Sequence, residues 1–319
     1  MGISIEPILA TLDRFQQRRK TLSIVVGVIK KFGDDRGSSL VALITYYTFV
    51  AIFPLMLLSV TIVGIVLRNH ESLRQDILNS AVADFPIIGT QLKENLGHIS
   101  TSVWGTIAGA TGLAWGSLGF AQAAQTAMAD IWNIPLVERP SWIVRVRSAV
   151  IAVLILASSV AVAGVLVGIN VPWISDHVPE LSYVIAALVN GVAFVGLFRA
   201  LTPKNVKVRA LWPGAVLAGV SFALLFSIGT RILTGSLKRS SELYGFFGIV
   251  LGLLALLSLM TTVIMYCAEW NVVREKKLYP RTMFGDPMLD ADFQALREAA
   301  AQSRAIDSQR VAVTFGDKN

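Results

Sequence analysis

The chain has 319 residues, of which 54% are hydrophobic and only 15% are charged, and its mean hydropathy is +0.62. These values exclude a soluble domain of ordinary composition, in which about a quarter of the residues are charged. The formal charge of +7 would suggest nucleic acid as the partner of a soluble chain, but basic residues also collect in the cytoplasmic loops of membrane proteins. The positions of the charges therefore decide what the charge means.

The first predicted element is an amphipathic helix near the N-terminus. Leu22, Val25, Val26 and Ile29 recur at helical spacing, with basic residues on both sides. This pattern is typical of a helix that lies on an anionic inner leaflet. We assign residues 1–36 to a cytoplasmic N-terminal segment that contains this helix.

Six intervals without Asp, Glu, Lys or Arg follow, and each is at least about as long as the shortest helix expected to cross a bilayer core. Their apolar character on all sides argues against the half-buried helices of a soluble protein. An apolar stripe broken at Pro86 and Gly89 predicts an external helical hairpin at residues 71–100. The predicted fold class is an all-α polytopic membrane helical bundle, residues 37–273, with six transmembrane helices at about 40–67, 103–126, 147–170, 181–201, 211–233 and 244–270.

The orientation follows from the basic residues between the spans. They are concentrated in the segments that are internal if the N-terminus is internal, which predicts that both termini are cytoplasmic. Residues 274–319 form a polar cytoplasmic tail with a short helix predicted around Leu289 to Ala301. We expect the fold not to depend on this tail.

Polar groups at membrane depth are rare in this chain and are therefore candidate site residues. Glu269 and Arg199 lie near the inner ends of the sixth and fourth spans, so they are predicted to pair. Asn190, Tyr46 and Tyr47 add hydrogen-bonding groups within spans four and one. A static ion pair and interhelical hydrogen bonds are the alternative interpretation of these residues.

Two further features carry weaker predictions. Pro54 removes a backbone hydrogen bond within the first span, which predicts a helix kink there. Arg231, Lys238 and Arg239, beside Tyr244, form an external basic group that runs against the orientation rule. This group is a candidate anion-binding site, with a solvated loop as its alternative.

Catalytic chemistry finds no support in the sequence. His70, His98 and His177 are isolated and have no ligand spacing, so no metal site is predicted. We find no glycine loop for nucleotides and no serine elbow, and we therefore predict no cofactor and no enzyme activity. Nucleic acid is not an expected partner. The expected partners are membrane lipids, anionic lipids among them, and further copies of this chain.

Several motifs carry a family resemblance. The stretch ALITYYTFVAIFPLML at Ala42 to Leu57 is joined by later motifs, namely Ile131-Trp132-Asn133, Pro213-Gly214-Ala215, Tyr244-Gly245 and Cys267-Ala268-Glu269-Trp270-Asn271. Together they resemble the YihY/BrkB family of bacterial inner-membrane proteins, once labelled ribonuclease BN. The resemblance covers roughly Lys30 to Lys277 and implies six spans in the inner membrane.

The function that this resemblance and the sparse polar groups favour is transport. We expect an inner-membrane transporter or flippase-like protein for an amphiphilic or anionic solute, with an envelope lipid among the candidates. The alternative is a non-catalytic structural or scaffolding protein of the bacterial envelope. A membrane-tethered ribonuclease is the least favoured hypothesis, because no RNA-binding module is recognisable.

Overall fold

The computed structural model describes residues 6–66, 103–168, 179–203, 206–284 and 287–316. Regular structure in these ranges is entirely helical, which confirms the all-α prediction for them. The predicted external hairpin at residues 71–100 lies outside the described residues. Besides one short 3₁₀ turn at Leu136–Glu138, the helices are α1 (Glu6–Arg18), α2 (Lys20–Asp34), α3 (Gly37–Val66), α4 (Val103–Ile131), α5 (Trp142–Gly168), α6 (Pro179–Leu201), α7 (Val208–Glu275) and α8 (Asp290–Ala301).

Two stretches of the described chain are long and apolar enough to cross a membrane, Val208–Leu225 and Val250–Glu275. The four earlier predicted spans fall on α3 to α6, and their number of membrane crossings stays a prediction. The chain divides into two units. The first unit comprises Met1–Val41, Gln122–Ala223 and Thr261–Asn319, and the second comprises Ala42–Ala121 and Leu224–Met260.

Helix α7 contains both of the last two predicted spans in one helical run of 68 residues. A straight helix of that length would extend about 100 Å. Its two ends nevertheless lie in contact. The Gly214 N–H donates a 2.7 Å hydrogen bond to Asn271 Oδ1, and Asn271 Nδ2 donates a 2.9 Å hydrogen bond to the Leu211 carbonyl. The run therefore reverses direction, and its two limbs lie side by side where these residues meet.

In the second unit, glycines on one face of α4 admit α3 at close range. A Cβ added to Gly116 would lie 3.0 Å from the Cα of Ala51, and one added to Gly112 would lie 3.0 Å from the Pro54 ring. Small residues of this kind let helix backbones approach in lipid. Helix α3 runs without interruption through Pro54, and the predicted kink stays a prediction.

In the first unit, α2 packs against the C-terminal end of α7. A Cβ on Gly27 would lie 2.9 Å from the Leu278 carbonyl oxygen, and the rings of Phe32 and Tyr266 stack with centroids 4.4 Å apart. The predicted amphipathic helix is thus present as α2. The apolar residues that we predicted to face the membrane are exposed at three of four positions, Leu22, Val25 and Ile29.

The C-terminal tail makes specific contacts with other helices of the first unit. The predicted helix is present as α8, and Glu298 on this helix forms a 2.7 Å salt bridge with Lys276 at the end of α7. Gln302 donates a 2.7 Å hydrogen bond to Asp130 of α4. The tail is therefore bonded to α4 and to the end of α7.

Candidate functional site

Helix α2 carries two Lys–Asp pairs at consecutive positions, and they serve two different clusters. Lys30 and Asp34 are one helical turn apart, as are Lys31 and the residue that follows the helix, Asp35. Consecutive helical residues point about 100° apart, so the two pairs face different neighbours. One pair meets Glu269 of α7, and the other meets Asp292 of α8 and Arg281.

The first of these groups, the Glu269 cluster, consists of Glu269, Lys31 and Asp35. The residue Glu269 is 0% exposed, and the side chains of Lys31 and Asp35 are 2% and 3% exposed. The Lys31 ammonium forms a salt bridge with Asp35 Oδ2 and donates a 3.0 Å hydrogen bond to the carbonyl oxygen of Ile131. A buried lysine without such partners would be strongly unfavourable, so these contacts fix the Nζ position.

The end of α4 explains why a carbonyl is available to Lys31. Asn133 takes a positive φ of 50° and ends the helix, as Asn and Gly commonly do at this position. Carbonyls in the last turn of a helix lack intrahelical donors. Lys31 supplies one to Ile131, and Lys276 supplies one to Trp132 at 2.9 Å. The Ile131-Trp132-Asn133 motif thus supplies the carbonyl oxygens that accept hydrogen bonds from Lys31 and Lys276.

The two carboxyl groups of the Glu269 cluster face each other. Glu269 and Asp35 are neighbouring acids whose charges act on each other, and neither Glu269 oxygen has a hydrogen-bond partner among the described residues. Ionised carboxylates are acceptors only, so a hydrogen bond between two carboxyl groups requires a proton on one of them. Burial raises the pKa of Asp35 above its ordinary value and outweighs the neighbouring Lys31 ammonium, which lowers it.

The charges of the cluster lead to the same conclusion. One cation, Lys31, faces two acids, and Asp34 adds a further negative charge from nearby. With both acids ionised the buried cluster would carry a net negative charge, which a low-dielectric interior disfavours. One shared proton makes the three-residue cluster neutral.

Asn271 positions the helix that carries Glu269. Its side chain bonds to both a donor and an acceptor of the other limb of α7, the Gly214 N–H and the Leu211 carbonyl. A Cβ on Gly214 would lie only 2.1 Å from the Cys267 carbonyl oxygen, so only glycine fits between the limbs. This contact fixes the rotation of the limb about its axis and directs Glu269 toward α2.

The second group, the Asp292 cluster, consists of Asp292, Lys30, Arg281 and Asp34. Asp292 is fully buried and accepts hydrogen bonds from Arg281 Nε at 2.8 Å and Lys30 Nζ at 3.2 Å, and from the backbone N–H groups of Thr282 and Leu289. Arg281 also pairs with Asp34 at 2.6 Å. Burial alone would raise the pKa of Asp292, but these donors lower it below its ordinary value of 3.8.

The structure places the predicted site residues in different surroundings. Glu269 is buried as predicted, and its oxygens have no hydrogen-bond partner among the described residues, Arg199 included. Its pairing with Arg199 stays a prediction, and the charged groups that the structure places near Glu269 are Lys31 and Asp35. Asn190 lies where α6 meets α7, since a Cβ on Gly219 would be 2.9 Å from the Asn190 carbonyl carbon.

The remaining predicted residues belong to the second unit. The Tyr47 ring lies against Gly119, where an added Cβ would be 2.3 Å from it, and packs edge-on against Tyr46 with centroids 5.3 Å apart. Tyr46 is half exposed. These contacts favour helix packing over a site role for Tyr47. The candidate external anion site falls on side chains that lie outside the described residues, namely Arg231, Lys238, Arg239 and Tyr244.

Sequence reasoning missed Lys31 and Asp35. By sequence Lys31 belongs to the basic flank of the predicted interfacial helix, yet it lies at helical spacing from Ile24 and Val28, which are buried. A lysine on the buried stripe, one turn before an aspartate, was the available signal. Among the described residues, no group of three His, Cys, Asp or Glu side chains could hold a metal ion.

The chain is similar in sequence to a known protein family and to individual bacterial proteins. The family described as Virulence factor BrkB matches residues 28–285. Inner membrane protein YhjD of Escherichia coli (strain K12) is 26% identical over 305 residues, which cover 87% of this chain and 88% of that protein. An uncharacterised protein of Dickeya dadantii (strain 3937) is 24% identical over 275 residues, 77% of this chain and 81% of that protein. No solved structure matches significantly.

Proposed function

The chain belongs to the Virulence factor BrkB family of membrane proteins, and from this premise we propose that it is a transporter or flippase-like protein for an amphiphilic or anionic solute. An envelope lipid is among the candidate solutes. In this proposal the protein lies in the bacterial inner membrane with six spans and cytoplasmic termini, and it is not an enzyme. The inner-membrane name of the YhjD relative supports the location.

The observation that carries the proposal is the Glu269 cluster. An acid at 0% exposure on a membrane-length helix, without an N–H or hydroxyl donor among the described residues, is costly to keep. A helix that served only as scaffold would be more stable with an apolar residue of similar volume at this position. A role that requires the acid explains its presence.

The folded-back α7 supports the same proposal. Its limbs meet through Gly214 and Asn271, and Glu269 lies two residues before Asn271 on the same limb. Ionisable groups between packed membrane helices commonly mark the pathway of a transported solute or ion. Lys31 provides a fixed positive charge near Glu269.

The test is lipid translocation by the full-length protein in vesicles. The probe is phosphatidylglycerol with a fluorescent headgroup or chain, and transport is measured as loss of protection from a membrane-impermeant quencher. We expect Glu269→Gln to lose translocation at normal protein abundance. The matched control is Glu298→Gln, which changes a partly exposed acid paired with Lys276 and should retain translocation.

Two outcomes would overturn the proposal. Translocation by Glu269→Gln at the wild-type rate would show that the acid is not used. Loss of abundance in Glu269→Gln, together with no translocation by the wild type, would favour the scaffold. Native mass spectrometry gives an independent check, because a co-purified anionic lipid that is lost in an Arg231, Lys238 and Arg239 triple-alanine variant would support lipid handling at the external basic group.

A further inference from the structure

The Glu269 cluster contains a fully buried acid whose two oxygens have no hydrogen-bond partner among the described residues. Glu269 and Asp35 face each other as two acids, Lys31 forms a salt bridge with Asp35, and Glu269 receives no N–H or hydroxyl donor from the described residues. We propose that Glu269 and Asp35 bind one exchangeable proton, and that its uptake and release drive the proposed transport cycle. The inference rests on the proposed function for its second half only.

The geometry separates a proton site from a static ion pair. In a static pair, cations and carboxylates balance and each carboxylate oxygen has a donor, as at Asp292. In the Glu269 cluster Lys31 directs its bonds to Asp35 and to the Ile131 carbonyl, so its donors do not reach Glu269. Two acids of like charge that share one site cannot both ionise easily, and one of them retains the proton.

The charged groups that act most strongly on Glu269 among the described residues come from α2 and the residue after it. They are Lys31, which favours ionisation, and Asp35 and Asp34, which oppose it. Asp34 is itself paired with Arg281 at 2.6 Å, so its charge is partly compensated. The end of α4 contributes the neutral Ile131 carbonyl. The balance therefore depends chiefly on Lys31 and Asp35.

Release of the proton changes the charge of the cluster. On release, both acids become carboxylates, the cluster charge changes from zero to minus one, and the proton passes to water. The added negative charge beside Lys31 weakens the attraction of α2 for an anionic solute. Binding of the proton and binding of an anionic solute would thus favour each other.

The first experiment measures the proton itself and does not need a substrate. Infrared difference spectra of the full-length protein in lipid, recorded across a pH titration, report the carbonyl stretch of a protonated carboxylic acid. We expect one such band at neutral pH that disappears at alkaline pH in one step, shifts in heavy water, and is absent in both Glu269→Gln and Asp35→Asn. Glu298→Gln should keep it. A spectrum without this band, or a band that persists in both variants, would overturn the proton site.

The second experiment measures coupling. Vesicles loaded with a pH-sensitive dye and given a pH gradient should show translocation of fluorescent phosphatidylglycerol together with an internal pH change, and Glu269→Gln should lose both. Translocation that is indifferent to the gradient would overturn the coupling and leave the proposed function intact. A titrating band in a protein that moves no probe would refute the proposed function and the coupling, while the proton site itself would stand.

Discussion

Two clusters of buried charge lie on adjacent faces of the same helix, and they differ in how their acids are satisfied. Asp292 accepts four hydrogen bonds, two from cationic side chains and two from backbone N–H groups. Glu269 is equally buried and receives no donor of either kind from the described residues. A fully bonded buried acid stabilises a fold, whereas an unbonded one is retained at a cost. The Asp292 cluster therefore stabilises the fold, whereas the Glu269 cluster is the proposed functional site.

Removal of the Asp292 side chain should have the largest effect on stability. Asp292→Ala leaves Lys30 without its carboxylate and Arg281 with Asp34 alone, and loss of one partner from a buried ion pair costs about 3–5 kcal/mol. We expect a fall of this size in the free energy of unfolding, measured by denaturation in detergent. Glu298→Ala is the control, because its pair with Lys276 is partly exposed and is worth about 0–1 kcal/mol. Equal effects of the two changes would contradict the structural role of Asp292.

The helix that carries Asp292 could be predicted from the sequence, but the partners of Asp292 could not. The helix at Asp290–Ala301 was predictable within one residue from its local pattern. Its docking was not, because the Lys30 that binds Asp292 is 262 positions away and no local pattern connects them. For the same reason Glu269 could be identified as a buried acid from its apolar neighbours, but its partners could not. Similar depth in the membrane suggested Arg199 as the partner of Glu269. In the structure the packing of Gly27 and Phe32 on the end of α7 brings Lys31 near Glu269 instead.

Loss of the Lys31 cation should have a smaller effect, and one that depends on pH. Lys31→Met leaves the Ile131 carbonyl without its donor, which costs about 1–3 kcal/mol. The two acids then lack a cation, but a second proton can neutralise them. The variant should therefore be closest to wild type in acid and progressively less stable as the pH rises. Unfolding in denaturant at a series of pH values measures this difference, and a difference that is constant with pH would contradict the shared-proton arrangement.

The two aspartates should respond to pH in opposite directions. The folded-state pKa of Asp292 lies below its unfolded value of 3.8, so its stabilisation is present above 3.8 and is lost as the pH falls through the folded pKa. The folded-state pKa of Asp35 lies above 3.8, so its contribution is full below 3.8 and is lost as the pH rises through the folded pKa. In a plot of the free energy of unfolding against pH, Asp292→Asn should reduce the loss of stability below pH 3.8. Asp35→Asn should reduce the loss of stability that occurs as the pH rises above 3.8. Interchanged effects would refute the contrast between the clusters.

Glu269→Gln should have the smallest effect on stability and therefore tests the comparison most sharply. Glutamine has nearly the shape of glutamic acid, and its amide can donate to Asp35 the hydrogen bond that the shared proton now provides. We expect the free energy of unfolding to change by no more than about 0.5 kcal/mol, as for substitutions that disturb no packing or bonding. Translocation should nevertheless be lost, because the amide cannot release a proton. A destabilisation of about 3 kcal/mol, similar to that expected for Asp292→Ala, would instead mean that Glu269 is held as an ionised partner and that both clusters serve only the fold.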